Sequence, residues 1–500
     1  MDLFIATLPP VGTIGPLLGP ALVFSAAKKA GYSAKQVDFS LDFFLQHKNI
    51  PEVLEWLNFD SYSANESGFI VSYLDSAIEI WIQEIIIEKP RWVGFSAFSV
   101  RCIFVLNMLL PRLKKAYPAG KIVVGGSGII DTSFYKQQLE LGLIDAFVQG
   151  EGEVAIVDIL AGRINSPGIN GKMAQEIENL NELSNADYSG LKLSEYGQIR
   201  LRDTYVANYQ VLTFYVEGSR GCVRKCSFCD VPFIKPGYRY RTTNSIGLEI
   251  RKLLKENSTA HFIYFVDSLV NGSLKHLKEL CYELEDIKTN VNTNFFWSGY
   301  FIVRSKESFS RANYELLARS GARQLKFGVE SGSAKVRKEM NKNNSDEDID
   351  YNLSECARVS IGPIALLMIG FPTETEEDFY LTIQFLRRNK NFLKIGYAGI
   401  SVSWKVGIAQ HKSALAFNPE KYGVKYDLNG EWYSEHVNIL ISSKRYFLLC
   451  DEAENLGIIN KNKCSKKSVL DLVKAYNVSE KDLDLSEKEL HEIYKNYLKK

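Results

Sequence analysis

The sequence predicts an α/β protein with a doubly wound parallel sheet, a partial (β/α)6 barrel and a small, mainly helical C-terminal region. Two observations support this fold class. Short apolar runs alternate with helix-like segments through the first part of the chain, and six further strand-then-helix units follow from Val211 onward. We place the boundaries at 1–165 for the first domain, 166–210 for a linker, 211–405 for the barrel and 406–500 for the C-terminal region.

The first domain is predicted from five apolar strands, separated by segments with helical periodicity. The strands are Leu3–Leu8, Gln36–Phe39, Trp92–Ser96, Lys121–Val124 and Ala146–Gln149, and the clearest helices are Leu17–Ala30 and Phe104–Tyr117. Ligands of such sheets bind beyond the carboxyl ends of the strands. The residues there are small or polar: Ser96, Ser99, Gly125, Gly126, Gly150 and Glu151. One glycine pair alone makes only a tight turn, but three such loops on one edge favour a binding crevice.

The barrel is predicted from six strands, each followed by a helix. The strands are Val211–Val216, Phe262–Val266, Asn294–Tyr300, Gln324–Val329, Ile364–Ile369 and Ile395–Val402. The helices are Ser245–Asn257, Ser273–Leu284, Ser308–Ser320, Ala334–Met340, Asp346–Val359 and Glu374–Arg388. The reactive face of such a barrel lies at the carboxyl ends of its strands.

A loop with three cysteines follows the first barrel strand. Cys222, Cys226 and Cys229 place three thiolates close together. Three sulfurs without an obvious fourth ligand suit a cubane iron–sulfur cluster that leaves one iron open. A structural zinc site is the alternative from the loop alone, although such a site normally takes four protein ligands.

Three later loops are expected on the same face of the barrel. Asp267 and Ser268 follow the second strand, Glu330 and Ser331 follow the fourth, and the run Gly370–Glu374 follows the fifth. Each loop has a plain structural interpretation, such as a buried ion pair or a helix start with Thr373 as its cap. Their convergence with the cysteine loop favours a shared site.

The combination of these segments resembles the radical S-adenosylmethionine (SAM) superfamily. The resemblance rests on Cys-x3-Cys-x2-Cys, YFVDSLVN, KFGVESGS and LLMIGFPTETEEDF, and covers about residues 210–405. It implies a [4Fe-4S] cluster on the three cysteines and SAM on the open iron, cleaved reductively to a 5′-deoxyadenosyl radical that abstracts hydrogen from a substrate. By position it also implies SAM contacts from Phe228, Asp267, Ser268, Glu330, Ser331, Ile369 and Gly370. The family's usual Gly-Gly-Glu is not literally present at Asp267.

The first domain resembles the Rossmann-like, B12-binding-type domain that precedes the barrel in one class of these enzymes. The segments GFSAFS, VVGGSG and GLIDAFVQGEGE support the resemblance, which implies cobalamin contacts at the edge residues named above. The Asp-x-His-x-x-Gly motif that supplies an axial histidine is absent, and His47 is the domain's one histidine. Two outcomes stay open: cobalamin-dependent methyl transfer, or a cobalamin-free rearrangement or oxidation on a degenerate first domain. A non-catalytic iron–sulfur or nucleotide-binding protein is the alternative from another class.

Composition limits the partners and the location. The chain has 60 basic and 59 acidic residues, a balance that argues against a broad nucleic-acid surface. The other five cysteines are scattered, which favours free thiols in a reducing cytoplasm. The apolar run Val11–Ala27 contains Pro16 and Pro20 and lacks a basic leader, so we expect no signal peptide and no membrane span. The expected partners are a small-molecule or peptide substrate and a low-potential electron donor of the flavodoxin or ferredoxin type.

The linker and the C-terminal region carry weaker signals. We expect a linker helix near Met173–Leu183 and C-terminal helices at Ser443–Asn455 and Lys467–Tyr476. An aromatic group in the C-terminal region has two interpretations, the lining of a substrate cavity or a packed lid. Its members are Trp404, Tyr422, Tyr426, Trp432 and Tyr433.

Overall fold

A computed structural model describes residues 1–57, 68–172, 174–197, 212–257, 260–290, 295–408, 412–427 and 430–462. The predicted helix Lys467–Tyr476 lies outside the described residues. Within them, no helix is long and apolar enough to cross a lipid bilayer.

The first domain is a five-stranded, wholly parallel sheet with helices on both faces. Its strands are β1 (Leu3–Thr7), β2 (Ala34–Asp38), β3 (Trp92–Ser96), β4 (Lys121–Gly125) and β5 (Ala146–Phe147), in the order β2-β1-β3-β4-β5. Its helices are α1 (Leu18–Lys29), α2 (Phe39–His47), α3 (Pro51–Leu57), α4 (Gly68–Glu88), α5 (Cys102–Ala116), α6 (Ser133–Glu140) and α7 (Gly152–Leu160). The strand order changes direction between β1 and β3, where ligands of such sheets bind.

Alternation along the strands explains the two helical layers. Leu3 and Ile5 of β1 pack in one apolar cluster with residues of α1 and α7. The intervening Phe4 and Ala6 pack in the other cluster, with residues of α2, α4 and α5. Both faces of β1 are therefore buried, as a doubly wound sheet requires.

The barrel contains six parallel strands in chain order. They are β6 (Leu212–Val216), β9 (Ala260–Phe265), β10 (Phe296–Phe301), β11 (Ala322–Glu330), β12 (Gly362–Met368) and β13 (Gly399–Ser403). A short antiparallel hairpin, β7 (Ser219–Gly221) and β8 (Tyr238–Tyr240), brackets the cysteine loop. The helices are α8 (Val231–Ile234), α9 (Thr243–Glu256), α10 (Leu274–Asn290), α11 (Arg311–Arg319), α12 (Ala334–Glu339), α13 (Asp346–Arg358) and α14 (Glu376–Leu393). The predicted fold class is confirmed.

The two edge strands of the open barrel, β6 and β13, are each covered by a distant part of the chain. The Thr213 N–H of β6 donates to the carbonyl of Ile14, in the loop after β1, at 3.1 Å. A Cβ on the neighbouring Gly15 would lie 1.9 Å from the Thr213 carbonyl oxygen, so this approach requires glycine. On the other side, the Ile400 N–H of β13 donates to the carbonyl of Ile459 at 2.9 Å. Both strand edges are thereby partly satisfied and shielded.

The C-terminal region adds α15 (Ala414–Phe417), the small hairpin β14 (Lys425–Tyr426) and β15 (Trp432–Tyr433), and α16 (Ile439–Asn455). The helix predicted at Ser443–Asn455 is the larger part of α16.

Three sequence predictions differ from the structure. The last barrel helix begins at Glu376 with Thr375 as its cap, and not at Glu374 with Thr373 as its cap. Among the described residues near the predicted linker helix Met173–Leu183, there is only a single 3-10 turn, Leu180–Glu182. The Ile177 N–H instead donates to Glu151 of the first domain, which holds this segment extended across the domain surface. The last barrel strand begins at Gly399 and not at Ile395, because residues before it form a turn in which Gly396 has φ +54°.

Candidate active site at the cysteine loop

Asp267, at the carboxyl end of β9, anchors the base of the cysteine loop. Its Oδ1 accepts from the Gly218 N–H at 2.7 Å and its Oδ2 accepts from the Ser219 hydroxyl at 2.6 Å. Burial raises the pKa of this carboxyl to about 7. Asp267 was predicted to contact SAM, and the structure shows both of its oxygens engaged with the loop. Its neighbour Ser268 is half-buried.

The three thiols lie on the loop between the hairpin strands, with Cys226 buried and Cys222 and Cys229 half-buried. Burial, reinforced by the neighbouring Cys226, raises the pKa of Cys229 to about 12. Burial also raises the pKa of Cys226, against the effect of a nearby lysine. In the described residues, no three Cys, His, Asp or Glu side chains already stand together as a metal-binding group. The donor set fits an iron–sulfur cluster, because cysteine thiolates are its usual ligands and a bound cation would stabilise the three neighbouring thiolates.

Hydrogen bonds to α12 and its following turn fix the cysteine loop. The Ser227 N–H donates to the carbonyl of Met340 at 3.0 Å, and the Ser227 hydroxyl donates to that of Glu339 at 3.2 Å. The Asn341 side chain donates to the carbonyl of Lys225 at 2.8 Å. The Leu415 N–H of α15 donates to the Ser227 carbonyl at 2.8 Å. The loop is therefore held from two sides.

A buried ion pair lies beside the thiols. The Lys342 ammonium lies 2.7 Å from Oε1 of Glu330, donates to the carbonyl of Gly328 at 3.2 Å and lies 5.9 Å from the ring centroid of Phe228. Burial opposes the charge of Lys342, but Glu330 and Cys226 outweigh it, so the lysine pKa is raised. Glu330 follows a bulge at the end of β11 and has φ +68°, a strained conformation of the kind that clusters at functional sites.

The predicted contact residue Ser331 faces α14. Its hydroxyl lies 3.3 Å from the Thr382 hydroxyl, and the Gly332 N–H donates to the same Thr382 oxygen at 3.0 Å. Ser333 caps α12 and donates to Asp378 at 2.6 Å. The side chains of this serine segment therefore fix the strand end to α14, while Glu330 alone turns toward the cysteine loop.

The loop after β12 is held by a second buried ion pair. The Gly370 N–H, at φ +74°, donates to Glu374 at 2.9 Å, and Arg445 of α16 lies 3.1 Å from the same Glu374 oxygen. Burial raises the pKa of Glu374 to about 7, against the effect of Arg445. The Ile369 N–H is bonded to the carbonyl of Ser403. The N–H groups of Ile369 and Gly370 are thus engaged, and any backbone contact to a ligand falls to their carbonyls.

The C-terminal region packs on the mouth of the barrel. Trp432, Val437 and Leu415 share an apolar cluster with Phe371 of the loop after β12 and Met340 of the turn after α12. The half-buried Phe228, which lies between Cys226 and Cys229 in the sequence, and Tyr422 pack against this apolar cluster. Of the two interpretations of the aromatic group, the structure places Trp432 and Tyr422 in a packed lid beside the cysteine loop.

The inner wall of the barrel below this mouth is aromatic and polar. Outward-facing residues such as Leu325 and Phe327 join the core beneath the helices. The alternate residue Lys326 is half-buried on the opposite face of the sheet. Its ammonium donates to the Tyr264 hydroxyl at 2.9 Å and lies 5.0 Å from the ring centroid of Tyr300. Sequence patterning missed this wall, although tyrosine and lysine at inward strand positions are the signal that marks it.

The edge of the first sheet is closely packed between β3 and β4. The Ala97 N–H donates to the Gly125 carbonyl at 2.8 Å, and the Gly128 N–H donates to the Ala97 carbonyl at 2.9 Å. A Cβ on Gly126 would lie 2.5 Å from the Ala97 carbonyl oxygen. Ser96 is half-buried at the strand end, and Ser99 is buried one turn further on. These glycines therefore allow the two loops to pack closely. A ligand of this sheet would bind beyond the carboxyl ends of β1 and β3, where the strand order reverses.

Glu151, predicted as a cofactor contact beside the exposed Gly150, joins the two domains instead. One carboxylate oxygen lies 3.1 Å from Arg220 and accepts from the Ile177 N–H at 2.8 Å, while the other lies 2.9 Å from Arg239. Burial opposes its charge, but Arg220 and these donors hold the pKa of Glu151 below its ordinary value. Both oxygens are occupied, so this geometry does not favour the predicted cofactor contact.

His47 lies at the end of α2, the helix that starts from the edge of the first sheet. Its Nδ1 is 2.9 Å from the carbonyl of Phe43, and its ring packs against Phe43 and Tyr73. These contacts explain the residue without a metal.

Sequence comparisons place residues 216–386 within the family model of the radical SAM superfamily. A tRNA-2-methylthio-N(6)-dimethylallyladenosine synthase of Thermotoga petrophila is 30% identical over 198 residues, 37% of this chain and 43% of that protein. An uncharacterized methyltransferase of Pyrococcus horikoshii is 24% identical over 330 residues, 60% of this chain and 66% of that protein. The chain thus spans under half of the first of these relatives, and the likeness to it lies in one segment.

Two solved structures share the fold over most of the chain. The radical SAM methyltransferase TsrM from Kitasatospora setae, with cobalamin and a [4Fe-4S] cluster bound, has a TM-score of 0.62 at 15% identity and covers 86% of this chain and 80% of its own. The cobalamin-dependent radical SAM enzyme OxsB, with aqua-cobalamin and SAM bound, has a TM-score of 0.61 at 13% identity, over 91% and 67% of the two chains. At these identities the likeness concerns the fold.

Proposed function

Because this chain belongs to the radical SAM superfamily, we propose that it is a [4Fe-4S] enzyme that cleaves SAM and, with cobalamin on its first domain, transfers a methyl group to a small-molecule or peptide substrate. The cysteine loop beside the buried Lys342–Glu330 pair is the observation that carries the proposal. When bound, the cluster supplies the electron that breaks the sulfonium bond of SAM, and thiolate ligation helps to set its potential.

The residues around the loop suit the holding of SAM. Lys342 supplies a buried positive charge that suits the SAM carboxylate, and Glu330 supplies an acceptor for an ammonium or ribose hydroxyl. Phe228 supplies an aromatic surface beside the adenine position. The C-terminal lid, whose Trp432 shares an apolar cluster with Phe371 of the loop after β12, excludes water from the mouth, a condition that protects a reactive intermediate from side reactions.

The edge of the first sheet fits a cobalamin that takes no ligand from the protein. Ser96 and Ser99 lie at the carboxyl end of β3, next to the point where the strand order reverses. Gly125 and Gly126 shape the adjacent loop, and His47 is engaged elsewhere. TsrM and OxsB hold cobalamin on chains of this fold, which supports the same group here.

Anaerobic reconstitution with iron and sulfide, followed by incubation with SAM and dithionite, tests the first part of the proposal. We expect a reduced-cluster signal in electron paramagnetic resonance (EPR) spectra and 5′-deoxyadenosine or S-adenosylhomocysteine among the products. An intact cluster that yields neither product would exclude catalysis and leave a non-catalytic iron–sulfur protein.

Cobalamin retention tests the second part. Hydroxocobalamin should stay with the protein through gel filtration and give its visible spectrum at about one equivalent. Release of all cobalamin, with 5′-deoxyadenosine still formed, would favour the second candidate, a cobalamin-free rearrangement or oxidation.

A further inference from the structure

Arg220, two residues before the first cluster cysteine, is buried in a ring of carboxylates from both domains. Its side chain is 4% exposed. The guanidinium lies 2.8 Å from Glu217 of its own loop, and 3.1 and 2.5 Å from Glu151 and Glu153 at the start of α7. Burial of a guanidinium is tolerated only with such charged partners.

Arg239 extends this contact on the opposite strand of the hairpin. It is the register partner of Arg220 and lies 2.9 Å from Glu151. It also donates to the carbonyl of Ile177 in the linker. We call these five charged residues, Glu151, Glu153, Glu217, Arg220 and Arg239, the interdomain clamp. The clamp attaches the first domain and the linker to the two strands that bracket the cysteine loop.

The charges of the clamp do not cancel. Three carboxylates face two guanidiniums, which leaves one excess negative charge in a buried position. The outer members Lys235, 3.9 Å from Glu217, and Glu176, 3.8 Å from Arg239, offset each other. Net charge close to an iron–sulfur cluster is one of the main determinants of its reduction potential, and negative charge makes the cluster harder to reduce.

We propose that Arg220 is a positioning residue for the cysteine loop, and that Glu153 of the first domain sets both the placement and the charge environment of the cluster. Residues of both domains then complete the iron–sulfur site. The reduction potential of the cluster depends on Glu153, a side chain of the first domain. The inference rests on the proposed function to the extent that it requires a cluster on the three cysteines.

The test compares single substitutions on α7 in the full-length, reconstituted protein. Glu153→Gln removes the charge, Glu153→Asp keeps it, and Asp158→Asn removes a carboxylate on the same helix that pairs with Arg163, whose side chain is 59% exposed. We expect Glu153→Gln to shift the cluster midpoint potential to a more positive value in an EPR-monitored redox titration. Glu153→Asp and Asp158→Asn should keep the wild-type potential.

A second substitution tests placement. Arg220→Met should lower the iron content per chain by at least twofold after reconstitution and alter the EPR change that SAM binding induces. Where that variant fails to fold, the Glu153 series still decides. A Glu153→Gln potential equal to that of Asp158→Asn would overturn the inference. If the wild type takes up no iron, the proposed function fails. If it takes up iron but the Glu153 variants do not change the midpoint potential, only the role of the interdomain clamp fails.

Discussion

The carboxyl ends of the two parallel sheets carry similar residues, namely glycine, serine and acids, but engage them differently. At the barrel, Asp267 and Glu330 are buried beside the cysteine loop, and Glu330 holds a strained φ of +68°. At the first sheet, Gly126 packs against the backbone of Ala97, and Glu151 is occupied by arginines of the other domain. The barrel edge gathers its buried acids around the cysteine loop, whereas much of the first edge is used in packing and docking. Similar loop composition at a sheet edge is therefore not sufficient to identify ligand contacts.

The pKa values of two acids, one at each edge, are also shifted in opposite directions. Burial raises the pKa of Asp267 to about 7, while Arg220 and the other donors lower that of Glu151 against its burial. An acid with a raised pKa resists ionisation in the fold, and one with a lowered pKa favours it. Substitutions at the two edges should therefore have separable effects on the iron content, on the free energy of unfolding and on cobalamin binding.

The largest effect is expected from Cys226→Ala. Loss of one of three thiolates should abolish SAM cleavage, measured as 5′-deoxyadenosine formed with dithionite, because the cluster loses a ligand. Cobalamin binding by the first domain should stay measurable. Cys281→Ala, at a buried cysteine of α10, serves as the control and should keep the iron content. Loss of cobalamin together with the cluster would show that the two edges are not independent.

Lys342→Met should cost both stability and SAM binding. Removing one partner of a buried ion pair leaves Glu330 uncompensated and costs about 3–5 kcal/mol of unfolding free energy. The double variant Lys342→Met/Glu330→Gln should recover much of the stability, but not the SAM affinity, measured by equilibrium dialysis. Recovery of both properties would reduce the pair to a structural role.

The sequence was sufficient for the fold class and for the cysteine loop, because alternation and cysteine spacing are local signals. Lys342 was missed, since its sequence context is an ordinary polar turn and its partner Glu330 approaches it only through the bulge at the end of β11. The role of Glu151 could not be predicted from the sequence either. A glutamate after a strand has the same sequence signature whether it meets a cofactor or an arginine of another domain.

Asp267→Asn should change how stability depends on pH. A folded pKa of about 7 lies above the ordinary value of 3.8, so the folded protein holds an extra proton between these values. The wild type should then lose up to about 1.4 kcal/mol of unfolding free energy per pH unit, relative to the variant, as pH rises toward 7. Urea unfolding at pH 5, 6, 7 and 8 measures this difference. Parallel curves for the two proteins would contradict it, as would a relative gain by the wild type.

Gly126→Ala should destabilise the first domain and leave the cluster intact. The residue has φ +115°, and its Cβ would lie 2.5 Å from the Ala97 carbonyl oxygen, so a cost of about 1–3 kcal/mol is expected. Gly19→Ala, in α1, where an added Cβ would meet nothing within 4 Å beyond its chain neighbours and the backbone of its own helix, is the control and should be stabilising by about 0.5–1 kcal/mol. Iron content should be unchanged in both. A loss of cobalamin from Gly126→Ala without a loss of stability would show that the glycine contacts the ligand directly.

The smallest effect is expected at His47, and it tests whether the first edge holds cobalamin without an axial histidine. Its Nδ1 is 2.9 Å from the Phe43 carbonyl, and its ring packs between Phe43 of α2 and Tyr73 of α4. His47→Gln keeps a polar side chain and should leave both the cobalamin affinity and the visible spectrum of the bound cofactor unchanged. A histidine ligand to cobalt alters that spectrum, so a spectral shift in the variant would show that His47 reaches the metal. In that case α2 would have to move toward the carboxyl ends of the strands of the first sheet. The first domain would then contribute a side-chain ligand to its cofactor, as the barrel is proposed to do with its cysteines.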